Sequence, residues 1–378
     1  MLFVINKILY KKVLKIKKIK VIQVISDSNI GGAGKVVLNL LSCFDKNEID
    51  CEIIIPKNSQ LKSYIKDMGY KIFEISSFGE VSFDFDLTKK LVKVFKREKP
   101  DIVHTHASLS ARIAAKILKI KVVYTRHWLG LKKTNFLLKL INNYFCDAAI
   151  AVSQEASHAL IATGINAKKV NIVRNGIMPL RIYSEMEKKF LRHRYGIENE
   201  FIFGVVARLE KVKGIRYFIE AANKFLSCNK NVKFLIFGDG NLKNNLENYV
   251  HELCLDKKII FCGFIKNVEE AMNLFDVFVL PSIQEALPLA LLEAMSLGCA
   301  CIATECGGPS EIIVNKKNGI LVKKKSVDDL FKGMKLLFDN NDLRKKIGNE
   351  ALKLIKNNFS AQEMTSKTIK IYERLVGI

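Results

Sequence analysis

Short apolar runs of strand length alternate with longer stretches of helical period along nearly the whole chain. Val21–Ile25, Glu52–Ile55, Ile102–His104, Val122–Thr125 and Ala148–Val152 read as strands in the first part. A polar stretch, Pro179–Lys189, interrupts the alternation, which resumes with Phe201–Val206, Lys233–Phe237, Ile259–Cys262, Val277–Leu280 and Ala300–Ala303. Repeated strand–helix units predict parallel sheets flanked by helices. Two such sets and one linker predict an α/β chain of two doubly wound domains, a division that 378 residues also suggest. The chain closes on two amphipathic helical patterns, Asp342–Asn357 and Ser360–Val376. Ligands of doubly wound sheets bind beyond the carboxyl ends of the strands, where loops open onto helix N-termini. Candidate chemistry is therefore sought there.

The segment PSIQEALPLALLEAMSLGCACIA follows strand Val277–Leu280 and carries Glu285 and Glu293 with seven residues between them. Pro288 suits the first turn of a helix and Gly298 its end, so Glu285 falls in the loop and Glu293 two turns on. Carboxylates so placed could grip two hydroxyl-rich groups, such as a sugar and a ribose. Alone, the pair equally fits one surface Glu and one Glu favoured by a helix macrodipole.

Other candidates sit at equivalent points. Strand one ends at Ser26, and Asp27–Gly34, with Gly31 and Gly32, leads into a helix expected from Lys35. Glycines at such a turn let backbone amides approach an anion. A P-loop is excluded, because Asn29 replaces its first Gly and Val36 its Ser or Thr; the dinucleotide fingerprint is also missing. His104 and His106 share one side of their strand. His104 is expected to be buried, with His106 emerging at the strand end to touch a ligand. Arg208 and Lys213 follow Phe201–Val206 and lead into a helix, a setting for a diphosphate. Gly307-Gly308-Pro309-Ser310-Glu311 opens another helix with free amides. Asp84-Phe85-Asp86 reads as capping acids ahead of a helical run, not as a metal motif.

Charge adds a partner. Residues 1–180 hold 30 Lys and Arg against 14 Asp and Glu, so they carry +16 of the chain's +23. Such a bias suits an anionic partner, although a lysine-rich composition throughout gives the same number. Leu2, Ile5, Leu9, Val13 and Ile16 recur at helical spacing among Lys7, Lys11, Lys12, Lys15, Lys17 and Lys18, a basic amphipathic pattern able to lie on an acidic membrane. Its apolar runs are too short and charged for a signal peptide or a span. No nucleic-acid motif or aromatic-interleaved basic strip is present, so no nucleic-acid partner is expected. The nine cysteines are scattered; Cys299, Cys301 and Cys306 lack the paired spacing of zinc modules. Reduced thiols in a cytoplasmic protein fit best, peripheral on the inner face of the membrane.

Taken together these motifs resemble the retaining glycosyltransferases of family 4, the group 1 glycosyl transferases. The resemblance runs from about Lys20 to the C-terminus. It rests on Gly31-Gly32, Asp101–His106, Ala151-Val152-Ser153, Asn175-Gly176-Ile177, Arg208 with Lys213-Gly214, Gly238-Asp239-Gly240, Pro281-Ser282 with Glu285 and Glu293-Ala294-Met295, and Gly307-Gly308 with Glu311. It implies the GT-B fold: two Rossmann-like domains facing across a cleft. The boundaries expected are 1–19 for the basic extension, 20–180 for the acceptor side, 181–358 for the donor side, and 359–378 for a last helix crossing back, with Tyr372 and Leu375 packing.

The resemblance also implies roles. Arg208 and Lys213 hold the donor diphosphate, Glu293 the ribose hydroxyls, Glu285 the transferred sugar, and His106 reaches that sugar from the opposite domain. Gly31, Gly32, Gly238, Leu287, Gly307 and Gly308 complete the donor pocket. The co-substrate is a nucleotide-sugar, with UDP commoner than GDP as carrier, and neither cofactor nor divalent metal is needed. The acceptor is a hydroxyl of a glycan or lipid-linked glycan, in surface polysaccharide or lipopolysaccharide synthesis; a soluble disaccharide or sugar phosphate is the alternative product. One departure stands out. The family often has Gly-Phe-Gly after the first Glu, whereas Ala286-Leu287-Pro288 stands here, and Pro288 has no N–H to offer.

Overall fold

Thirteen strands form two wholly parallel sheets in a computed structural model that describes residues 18–28, 30–76, 83–127, 129–130 and 135–378. The amphipathic pattern of residues 1–17 lies outside the described residues. The first sheet holds β1 (Ile19–Ile25), β2 (Ile49–Pro56), β3 (Lys71–Ile75), β4 (Ile102–His106), β5 (Lys121–Arg126), β6 (Ala148–Ala151) and β7 (Val170–Ile172), in the order β3-β2-β1-β4-β5-β6-β7. The second holds β8 (Phe201–Val206), β9 (Val232–Phe237), β10 (Ile259–Gly263), β11 (Val277–Leu280), β12 (Ala300–Thr304) and β13 (Ile320–Val322), in the order β10-β9-β8-β11-β12-β13. Both orders reverse direction once, between β1 and β4 and between β8 and β11. A crevice opens at each reversal, at the carboxyl ends of the strands.

The central strands are buried because they lie between helical layers on both faces. Ile22, Val24 and Ile54 fill one face of the first sheet, and Val21, Ile53 and Ile55 the other. In the second sheet Phe203 and Phe234 stack at 5.4 Å between centroids, with Phe218 and Phe225 edge-on around them.

The chain passes between the two halves twice, and the passages are bonded to each other. The Ile177 N–H donates to the Phe359 carbonyl (2.9 Å), and the Ala361 N–H to the Ile177 carbonyl (3.0 Å). A Cβ at Gly176 would stand 2.2 Å from the Ser360 carbonyl oxygen, so only glycine lets the strands run this close. Helix Asn341–Asn358 packs on the second half, against helix Leu289–Ser296. Helix Ala361–Val376 packs on helix Gly32–Cys43 and β1 of the first half, with Tyr372 fully buried.

Candidate functional site

At the second crevice the backbone is built before the side chains. The Glu285 N–H donates to the Cys306 carbonyl (2.9 Å) and the Gly308 N–H to the Glu285 carbonyl (3.0 Å). These bonds stitch the loop after β11 to the loop after β12. The Gly308 amide is thereby occupied, which corrects the expectation that it is free. Gly307 sits at φ +99°, and a Cβ there would meet the Glu285 carbonyl oxygen at 2.4 Å. Its glycine character serves this close approach of two loops. Gly238, at φ +137°, does the same where a Cβ would fall 1.8 Å from the Ala207 carbonyl oxygen; its N–H bonds to Gly263 (2.8 Å).

The side chains of Lys213 and Glu285 meet in this frame. Lys213 ends a single 3₁₀ turn after β8, and its ammonium lies 2.6 Å from Glu285 Oε1, which also accepts the Ser282 hydroxyl at 2.7 Å. The Glu285 carboxylate is 8% exposed, so a cation and a hydroxyl together compensate a nearly buried charge. Gly214 then turns the chain at φ +65° into helix Ile215–Leu226. Arg208, paired with Lys213 in the sequence expectation, stands apart from it: its side chain is 60% exposed and bonds to Glu210 (2.9 Å).

Glu293 lies within helix Leu289–Ser296. Pro288 is the N-cap, one residue ahead of the first turn, and Gly298 follows the end at φ +72°. The Glu293 carboxylate pairs across the cleft with Lys35 at 2.8 Å. Lys35 belongs to helix Gly32–Cys43, which starts three residues earlier than the sequence pattern suggested. A Cβ at Gly32 would meet nothing within 4 Å among the described residues, so none of them requires glycine there.

Further contacts tie the halves together. The Glu311 carboxylate accepts the N–H groups of Gln154 (3.0 Å) and Glu155 (3.2 Å), capping helix Gln154–Ala162 from the opposite half. The Asn175 amide donates to the Leu287 carbonyl (2.9 Å), while the Leu287 side chain is buried in the core. A cavity of about 600 Å³ is lined by Tyr64 of the first half and by Arg194, Tyr195, Phe264, Lys266 and Glu270 of the second. None of the residues expected at the site lines it.

The first crevice holds a continuous buried polar chain. His106 Nε2 lies 2.9 Å from Gln23 Oε1, which only accepts, so Nε2 carries the proton. His106 Nδ1 then accepts from His127 Nε2 at 2.8 Å. The Gln23 amide donates to the Tyr372 hydroxyl oxygen (3.0 Å), and that hydroxyl gives its proton to His104 Nδ1 (2.6 Å). His104 Nε2 finally donates to Thr125 Oγ1 (2.6 Å). Both ring nitrogens of His104 and of His106 are thus satisfied in neutral tautomers. Burial holds the His104 pKa at about 3 and the His127 pKa at about 4, and pushes His106 well below its ordinary value. The rings of His104 and His106 stack at 4.5 Å. Both are buried, so the expectation that His106 emerges freely at the strand end is corrected: its Nδ1 is taken by His127.

Asp84 caps helix Phe85–Glu98 by accepting the Leu87 N–H (2.7 Å), as expected. The nine cysteines are free thiols, and burial pushes Cys299 up to about 12 and Cys306 to about 11. Sequence reasoning missed Lys35, Gln23 and His127. His127 follows the end of a predicted strand, the position that drew attention to His106. Gln23 is the one polar residue of the predicted strand Val21–Ile25, a mark of a buried network.

Two family models match the chain: Glycosyltransferase Family 4 over residues 30–179 and Glycosyl transferases group 1 over residues 187–354. The UDP-Gal:alpha-D-GlcNAc-diphosphoundecaprenol alpha-1,3-galactosyltransferase of Escherichia coli is 27% identical, covering 95% of this chain and 98% of its own length. The capsular polysaccharide biosynthesis glycosyltransferase CapM of Staphylococcus aureus is 24% identical over 86% of this chain and 90% of its own. In fold, the chain is similar to HepE of Anabaena in complex with UDP and glucose, with a TM-score of 0.83 at 20% identity, covering 94% of this chain and 100% of that one.

Proposed function

The chain belongs to the family 4 glycosyltransferases of the GT-B fold, and on that premise we propose that it moves a sugar from a UDP-sugar to a hydroxyl of a lipid-linked glycan with retention of configuration. The observation that carries the reading is the nearly buried Lys213–Glu285 pair at the second switch point. The substrates named for the Escherichia coli relative and the UDP bound to HepE support the choice of carrier and acceptor.

Each residue then has a task. Lys213 stabilises the diphosphate as it departs, a fixed cation where negative charge develops. Arg208, exposed and paired with Glu210, swings onto the same diphosphate. Glu293 accepts the two ribose hydroxyls, and Glu285 accepts hydroxyls of the transferred sugar. The open space beside Gly32 lets the acceptor and diphosphate approach the backbone. His106, neutral with its Nδ1 lone pair directed at His127, accepts a donor-sugar hydroxyl once His127 turns aside.

The bond between the anomeric carbon and the diphosphate oxygen breaks as the acceptor oxygen attacks from the same face. The acceptor proton passes to the departing diphosphate oxygen. Positioning and leaving-group electrostatics then supply the rate, and no covalent enzyme intermediate or divalent metal enters. Incubation with UDP-hexoses and a GlcNAc-diphospholipid acceptor tests this. UDP release with an α-linked product supports the reading; an inverted linkage, or no product with any hexose, refutes it.

A further inference from the structure

Helix Phe136–Tyr144 is built inside out. None of its nine residues is buried, and Phe136, Leu137, Leu140 and Tyr144 are between 52% and 77% exposed. At the helical repeat these four side chains share one face. Its two asparagines instead bond to the rest of the domain. Asn142 accepts from the Arg112 guanidinium (3.0 Å) and donates to the Thr163 carbonyl (3.0 Å). Asn143 accepts the Asn166 N–H (3.0 Å), and its carbonyl accepts from Lys169 (2.7 Å). A surface helix ordinarily turns its apolar stripe to the core. Here four specific hydrogen bonds hold it the other way round, so the outward apolar face is a fixed property of the fold.

The charges around that face identify what it meets. Residues 129–146 contain no Asp or Glu, Lys139 is exposed on the helix itself, and Lys168 is exposed next to Lys169, whose ammonium bonds to the Asn143 carbonyl. An exposed apolar stripe flanked by these lysines suits an anionic lipid surface. Nine residues make a helix of about 14 Å, far too short to span a bilayer, so it would lie in the interface. The location also fits. Residues 127–135 join His127, at the first crevice, to Phe136, and that many residues reach at most about 30 Å. We propose that helix Phe136–Tyr144 docks this chain on an anionic bilayer, presenting the acceptor side of the cleft to lipid-linked substrates. The proposal rests on the lipid-linked acceptor reading and names the surface that serves it.

Co-sedimentation of the full chain with vesicles of phosphatidylglycerol and phosphatidylcholine tests it, with phosphatidylcholine alone as the reference. Wild type binds the anionic vesicles. Leu137→Glu with Leu140→Glu lowers the partition by about tenfold or more, while Phe136→Trp, which keeps the face apolar, binds at least as well. An unchanged UDP-induced thermal shift shows that the glutamate variant is folded. Equal binding by wild type and the glutamate variant overturns the proposal, and so does loss of binding on deletion of residues 1–17 alone. A wild-type dimer that the glutamate variant splits, with vesicle binding unaltered, assigns the face to a second copy and overturns it too. Failure of transfer to a water-soluble acceptor, with vesicle binding intact, strikes the catalytic reading instead.

Discussion

The ammonium of Lys35 lies 2.8 Å from Oε1 of Glu293, joining a helix of the first half to a helix of the second. The carboxylate assigned to the ribose is thus also a tie across the cleft. Its side chain is 9% exposed and that of Lys35 31%, so removing either partner leaves a poorly solvated charge. Lys35→Met and Glu293→Gln should each lower the unfolding midpoint, and the double variant should lose less than the sum. A coupling of about 1 kcal/mol is expected for groups in contact. Additive effects would show that the two side chains do not meet.

If Lys213 faces the departing diphosphate as proposed, Lys213→Ala removes that cation and takes from the Glu285 carboxylate its ion-pair partner, leaving the Ser282 hydroxyl. The turnover number should fall at least tenfold, the equivalent of ~1.4 kcal/mol. Arg208→Ala, at an exposed position, should raise the donor KM more than it lowers turnover. Unchanged initial rates for Lys213→Ala at saturating donor would remove it from this role.

Much of this was legible in the sequence, and the gaps have physical causes. Ten strands were expected and found; β3, β7 and β13, which were not, all lie at sheet edges. Edge strands are short and half solvated, so their apolar signal is diluted: β3 carries Lys71 and Glu74, and β7 has no buried residue. Lys213 and Glu285 were readable as candidates because they lie in strand-to-helix loops at the second crevice, and Glu293 from its spacing to Glu285 in the helix that follows. The Lys35–Glu293 pair was not, since it depends on how the two halves face each other. Tyr372 was readable as a packing residue, but its hydroxyl's partners lie 268 and 349 residues away, beyond any local pattern.

Tyr372→Phe should act at both levels. Without the hydroxyl, Gln23 loses an acceptor and His104 Nδ1 loses a donor in a buried site, which costs about 1–3 kcal/mol. The unfolding midpoint should drop by a few degrees. Because Gln23 fixes the His106 tautomer, turnover should also fall while UDP affinity holds. A variant as stable and as active as wild type would mean the chain of bonds from the last helix to His106 is dispensable.

The three histidines of the network, His104 and His106 buried and His127 partly so, give stability a pH dependence of known sign. Their pKa values are lowered by burial, His104 to about 3 and His127 to about 4, with His106 also well depressed. Below about pH 6.5 the unfolded chain therefore takes up protons that the native state refuses. The stabilisation is complete above that pH and is lost as pH falls toward the native values. Between about pH 6.5 and 5 exposed carboxylates stay charged in both states, so the slope there reports the histidines. Thermal unfolding across this window should show a falling midpoint, and His127→Asn should make the fall shallower. A midpoint that rises on acidification would contradict the neutral network.

The central claim is that the cleft holds a nucleotide diphosphate, with its ribose on Glu293. Calorimetric titration of UDP into wild type and Glu293→Ala tests it most directly. Wild type should bind UDP at one site per chain, and the dissociation constant of the variant should rise at least tenfold, ~1.4 kcal/mol. Equal affinity in the two proteins would contradict it.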